Sequence, residues 1–236
     1  MNAELKPSAF IMSTTKAIPL LHDYDAVIFD MDGVLIDSEP LWKIAMEYVF
    51  GQYGSTLTHE DFQKTVGLRI DEVIAFWNAH ENWGLSDLQH VEKQIIDKLI
   101  ALIELDPQPL TGVLDTLAFL KDQGKQIGLA TSSSQRLINT VLTALDIEHF
   151  FDFAYSAEFE AYGKPHPGVY LKVSDQLQVQ AQRCLVIEDS FNGVISGLAA
   201  KMKVCCIPEK THFPNPKLTV AHFEFTDLHQ LLDTWR

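Results

Sequence analysis

Positive charge is scarce in this chain. Its 236 residues hold 18 Lys and Arg against 32 Asp and Glu, a formal net charge of −14. No basic face is expected that could follow a nucleic-acid backbone, so nucleic acid is not an expected partner. Cysteine is scarcer still. There are three, Cys184, Cys205 and Cys206, and the last two are adjacent inside an apolar run. That is no disulfide framework. It reads as buried thiols in a reducing compartment, and a cytoplasmic location is expected. The nine His residues form no HExxH pair, and no CxxC spacing occurs, so zinc-type ligand patterns are missing. No apolar run is long enough to span a bilayer, and no membrane partner is expected. Residues 1–23 are interrupted by Pro7 and Pro19 with no sustained apolar core between them. They read as a loose amino-terminal extension rather than a signal peptide, and Met12 offers a second possible start.

What is present is a regular alternation. The run Ala26-Val27-Ile28-Phe29 reads as a short buried strand that ends in a turn at Gly33. A long helical region follows. Leu41, Trp42, Ala45, Met46, Val49 and Phe50 keep a helical period, as do Val73, Ile74 and Trp77, and then Leu88, Val91, Ile95, Leu99, Leu102 and Ile103. No strand is expected between Pro40 and Glu104. Beyond Asp106-Pro107-Gln108-Pro109, strands are expected at Gln126–Ala130, around Phe153–Tyr155, at Cys184–Ile187, Val204–Ile207 and Phe223–Phe225. Helices separate them. Apolar strands spaced by amphipathic helices predict an α/β fold, a doubly wound parallel sheet. The helical stretch then reads as an insertion after the first strand. The expected organisation is extension 1–23, a Rossmann-like core of 24–38 and 109–236, and a helical cap of 39–108.

Polar residues gather where these strands end. The first strand runs into Asp30-Met31-Asp32, the second into Thr131-Ser132-Ser133-Ser134. The third is followed by Gly163-Lys164-Pro165-His166-Pro167, and the fourth runs into Glu188-Asp189-Ser190. In a parallel sheet all four lie at the carboxyl edge, where ligands bind. Two carboxylates two residues apart repel each other. A bound cation, and a division into nucleophile and proton shuttle, would account for the pair. Each stretch has a plainer alternative. The serines read equally as a helix amino-terminal cap, Glu188-Asp189 as another cap, and Lys164 before a proline as a solvated turn.

Four motifs in this order resemble the haloacid dehalogenase-like superfamily, in its phosphatase and phosphomutase branch. They are DxDGxL at Asp30 to Leu35, Thr131, Gly163-Lys164-Pro165 and Glu188-Asp189. The helical insertion resembles that family's small helical cap, and the likeness covers the chain from about Tyr24 onward. The resemblance implies that Asp30 attacks phosphorus and forms an aspartyl-phosphate, and that Asp32 is the general acid and base. It implies magnesium held by Asp30, Asp32 through its backbone carbonyl, and Asp189, with Glu188 in the outer shell. Thr131, Ser132 and Lys164 would hold phosphoryl oxygens.

A finer likeness is to sugar-phosphate phosphatases, among them hexitol and 2-deoxyglucose-6-phosphate phosphatases. It rests on Leu35–Trp42 and Val66–Asp71. The phosphomutases of the branch carry a His where this chain has Trp42, which favours hydrolysis. A β-phosphoglucomutase-like phosphomutase and a phosphoglycolate-type phosphatase are the alternatives. From the residues, Trp42 falls on the apolar face with Ala45, Met46 and Val49 and reads as cap core, with a substrate contact as the other reading. Arg69 follows Gly67 and is the cap's candidate substrate ligand, an exposed guanidinium free to fork onto hydroxyls or phosphate; a solvated surface residue is the other reading. His166 reads as structural. The expected partner is a small phosphate ester, and a monomer is expected.

Overall fold

The computed structural model of the protein describes residues 18–208 and 215–236. In chain order, β1 (Ala26–Phe29) is followed by helices α1 (Glu39–Gly51), α2 (His59–Phe62), α3 (Ile70–Glu81) and α4 (Leu88–Leu105). Next come α5 (Val113–Asp122), β2 (Gln126–Thr131), α6 (Gln135–Ala144), β3 (Phe153–Ser156) and α7 (Gly168–Gln176). The chain finishes with β4 (Cys184–Glu188), α8 (Phe191–Ala199), β5 (Lys203–Cys206), β6 (Phe223–Glu224) and α9 (Leu228–Asp233). The six strands form one sheet in the order β3-β2-β1-β4-β5-β6, and every pairing is parallel. The doubly wound α/β sheet expected from the alternation is the observed fold.

Each central strand is buried on both faces, which is why its sequence runs apolar rather than alternating. Val27, Phe29, Leu129 and Ile187 pack on one side, and Ile28, Val186 and Val204 on the other. Each such side chain contributes roughly 1.5–3 kcal/mol by leaving water. The register then fixes the chemistry. Phe29 pairs with Leu129 of β2 and with Ile187 of β4. Asp30, Ala130 and Glu188 therefore come level at one edge. The order of the strands reverses between β1 and β4, so this edge is the crevice where such sheets bind ligands.

Helices α1 to α4 hold no strand between them, and their buried side chains continue the apolar cluster on one face of the sheet. Phe62 and Trp77 meet edge to face with ring centroids 6.2 Å apart, and Phe50 lies 4.9 Å from Trp83. The two connections that join this layer to the sheet touch each other: Ile36 bridges Pro109, and Leu110 N donates to Leu35 O at 3.0 Å. The single turn α2 was not anticipated, because four residues cannot display a helical period. Strands β2 and β4 also run one residue further than expected, so Thr131 and Glu188 belong to strands rather than to loops. Met12 and most of the expected loose extension lie outside the described residues. Its last part is not loose, since Trp235 Nε1 donates to Pro19 O at 3.0 Å. Among the described residues, no helix is long and apolar enough to cross a membrane.

Candidate active site

A buried lysine organises the edge of the sheet. Lys164 Nζ donates to Asp30 Oδ1 at 2.7 Å, to Glu188 Oε1 at 2.7 Å and to the Ala130 carbonyl at 3.1 Å. All three ammonium protons are thus directed. Glu188 is completely buried and fully satisfied. Its Oε1 also accepts from Tyr170 Oη at 2.8 Å, and its Oε2 accepts from the backbone of Asp189 and Ser190 and from Ser190 Oγ. Burial pushes Glu188 toward protonation, but Lys164 and these donors outweigh it and hold the carboxyl below the usual range. Lys164 is held charged in turn, because Asp30 and Glu188 outweigh the cost of its burial.

Asp32 points into the same cleft and has a different set of partners. Its Oδ1 accepts from Ser38 Oγ at 2.5 Å and from Trp42 Nε1 at 3.1 Å. Its Oδ2 accepts from Ser133 Oγ at 2.6 Å and Thr131 Oγ1 at 3.4 Å. One carboxylate is therefore aimed by the loop after β1, by α1 and by the end of β2. The cleft between the sheet edge and the cap helices holds about 80 Å³. Asp30, Asp32, Thr131, Lys164 and Asp189 line its floor, and Trp42, Met46, Phe62 and Leu68 line its roof.

The acidic groups exceed the single cation among them. Burial, then the charges of Glu188 and Asp32, push Asp30 up to about 7 despite Lys164. Burial and the neighbouring Glu188 and Asp30 carry Asp189 well above the ordinary carboxyl value. Asp30, Glu188 and Asp189 can each present a carboxylate oxygen within 4.8 Å of the others. An all-oxygen cluster with excess negative charge fits a hard divalent cation, which would relieve the repulsion.

Asp30, Asp32, Thr131, Ser132, Lys164, Glu188 and Asp189 thus come together at one edge. Arg69 does not join them. Its side chain is only 13% exposed, and Nη1 donates to the carbonyls of Ala157 at 3.1 Å and Glu160 at 2.8 Å. The free, exposed guanidinium anticipated as a substrate ligand is instead bound to the sheet side of the molecule. Ser132 does line the cleft, with its Oγ donating to Gly67 O at 3.2 Å. Trp42 needs the opposite correction. Its ring packs with the cap as the periodicity predicts, yet its indole N–H reaches Asp32. His166 Nδ1 accepts from Gly168 N at 3.1 Å and closes the turn before α7, a structural task. Sequence reasoning missed Ser38, Ser133 and Tyr170 as partners. The serine run marked Ser133, but Tyr170 looks like any apolar-face residue of α7.

Comparison with known proteins gives the family. The sequence model of the haloacid dehalogenase-like hydrolases matches residues 27–207. The chain belongs to that family. This haloacid dehalogenase-like hydrolase is 38% identical over 207 residues to hexitol phosphatase B of Escherichia coli K12, covering 87% of this chain and 93% of that protein. It is 33% identical over 183 residues to the phosphorylated carbohydrates phosphatase of Thermotoga maritima, covering 75% and 81%. Among solved structures, β-phosphoglucomutase from Clostridium difficile superposes with a TM-score of 0.80 at 25% identity, covering 88% of this chain and 93% of that one. The acidic machinery of a haloacid dehalogenase-like phosphatase is present at the edge of the sheet.

Proposed function

We propose that this hydrolase is a magnesium-dependent phosphatase of small sugar or sugar-alcohol phosphates, of the hexose or hexitol 6-phosphate type. Residues 24–38 and 109–236 form the catalytic core, and 39–108 form the cap that encloses the ester. Asp30 attacks phosphorus in line, its carboxylate becomes an aspartyl-phosphate, and the sugar alkoxide leaves. Asp32 gives the leaving oxygen its proton and then takes one from the water that cleaves the aspartyl-phosphate. Lys164, Thr131 and Ser132 hold phosphoryl oxygens, and the lysine keeps Asp30 aligned and opposes the burial that favours its protonated form. Asp30, Asp189 and the Asp32 carbonyl would hold magnesium, with Glu188 behind them; the ion, when bound, offsets the charge of Asp30 and of the phosphoryl group.

The observation that carries this reading is the pairing of two differently held carboxylates. Asp30 is tied to a lysine, as a nucleophile needs, while Asp32 is aimed by hydroxyls and an indole N–H into the same cleft. The sugar-phosphate class is supported by the two phosphatase relatives. Hydrolysis over phosphoryl return to the sugar is supported by Trp42, since indole donates a hydrogen bond and cannot relay a proton as imidazole does. The test is a panel of phosphorylated sugars and polyols with magnesium in heavy-oxygen water. Glucose 6-phosphate, 2-deoxyglucose 6-phosphate and hexitol 6-phosphates should give labelled inorganic phosphate and little or no glucose 1-phosphate. Efficient conversion of β-glucose 1-phosphate to the 6-phosphate without free phosphate would assign a mutase instead.

A further inference from the structure

Arg69 sits at the amino end of α3, with its backbone N–H donating to Glu72 Oε2 at 3.2 Å. Its Nη2 lies 3.0 Å from Asp71 Oδ2 and 3.8 Å from Glu72 Oε1. Its positive charge is thus compensated within the cap, which makes it a poor ligand for a phosphate. Its Nη1 reaches across to the carbonyls of Ala157 and Glu160, at the two ends of the single turn that follows β3. That turn opens the connection from β3 to Lys164. The cap touches the same connection again just before the lysine. A methyl group on Gly163 would stand 3.0 Å from Arg69 Cγ and 2.9 Å from Glu72 Oε2. Both ends of the Ala157–Gly163 connection therefore lie under the Arg69–Glu72 turn of the cap.

We propose that Arg69 is a positioning residue: with the cap seated, it clamps the Ala157–Gly163 connection and so holds Lys164 against Asp30 and Glu188. A guanidinium suits this because one planar group can serve two carbonyls through Nη1 while Nη2 pairs with carboxylates. The clamp makes two events one. Seating the cap over the cleft and fixing the ammonium that aligns the attacking carboxylate both require the same contacts. When the cap lifts, the connection loses two charge-assisted hydrogen bonds and Lys164 loses its support on that side. The kinetic consequence rests on the phosphatase reading above; the clamp itself does not.

The experiment uses the full chain and the variants R69A, R69K, G163A and R69A/G163A. Amide hydrogen exchange without substrate reads the clamp directly. R69A should speed exchange across residues 157–164 by roughly tenfold, the loss of about one net hydrogen bond to a charged group, and leave β2 unchanged. With magnesium, R69A should lower kcat/KM by a similar factor for hexose 6-phosphates and for para-nitrophenyl phosphate alike, because Lys164 serves every phosphoryl group. G163A, which adds a methyl under the clamp and touches no sugar, should do the same, and the double variant should be no worse than either single one. R69K should recover part of the loss. Unchanged exchange at 157–164, or a loss confined to sugar esters, would overturn the proposal and return Arg69 to substrate binding. Faster exchange with unchanged kinetics would overturn the positioning role. A wild-type chain that cleaves no ester would refute the phosphatase reading, while the exchange result would still decide the clamp.

Discussion

Trp42 and Asp32, ten positions apart, meet as donor and acceptor at 3.1 Å. The first cap helix thereby touches the carboxylate that we assign as acid and base. Indole offers one N–H and nothing else. Trp42→Phe keeps the ring packing against the cap and deletes that donor, leaving Oδ1 with Ser38 alone. The expected result is a fall in kcat of about tenfold, the order of one hydrogen bond to a charged group, with little change in melting temperature. An unchanged kcat would show that the contact does not aim Asp32.

The two aspartates should separate by chemistry. Asp30→Asn should abolish phosphate release, because an amide is no nucleophile and is a poor ligand for a hard cation. Asp32→Asn should keep cation binding, since its assigned contact is through the backbone, and lose roughly 10²–10⁴-fold in rate with the proton transfer. Steady-state kinetics together with magnesium titration by calorimetry distinguish the two. Near wild-type turnover in Asp30→Asn would sink the mechanism.

Removing the cation should silence the enzyme. Chelation should stop turnover and magnesium should restore it, while calcium should restore it poorly because its looser shell misplaces the attacking carboxylate. Asp189→Ala should raise the magnesium concentration needed for half activity. Full turnover in the presence of excess chelator is the result that would refute the assignment.

Glu188 depends on a residue outside the motifs. A Cβ on Gly193 would fall 1.6 Å from Glu188 Oε1, so α8 can pass this carboxylate only with glycine there. Gly193→Ala must displace either the helix or a buried acid that pairs with Lys164. Overpacking of this kind costs roughly 1–3 kcal/mol, and leaving the lysine without Glu188 adds to it. A lowered urea midpoint together with lost turnover is expected. Wild-type stability in this variant would mean that Glu188 can move at little cost.

Sheet and strand-end chemistry were legible because both are local. Four apolar residues and the Asp30-Met31-Asp32 turn announce β1 and its site without reference to anything distant. What stayed hidden joins residues far apart. The periodicity placed Trp42 correctly on the packed face of α1, but it says nothing about an indole edge that turns toward Asp32. Arg69 looked free because its carbonyl partners lie 88 and 91 residues away. Tyr170 has a hydroxyl that finds Glu188 18 positions on, and its α7 context gives no sign of it. The four-residue α2 was too short for a period to show.

The last prediction concerns pH and the far edge of the sheet. His222 precedes β6, and its Nδ1 accepts the backbone N–H of Val204 at 3.2 Å, while His222 N donates to Val204 O at 3.0 Å. The ring must therefore be neutral at Nδ1, with any proton on Nε2, a tautomer assigned from this geometry. Burial first, and the nearby Lys203 second, lower its pKa below the ordinary value of 6.5. A histidine whose folded pKa is depressed favours the folded state fully above the unfolded value. As pH falls below about 6.5 the unfolded chain takes up a proton that the folded chain refuses, and stability declines until the folded pKa is passed. Gln at this position can keep an acceptor for the Val204 N–H and has no proton to gain. Urea midpoints measured from pH 8 to pH 5 should therefore fall more steeply for the wild type than for His222→Gln, with the curves converging as the pH drops. Parallel curves would show that the Val204 contact does not exclude the proton.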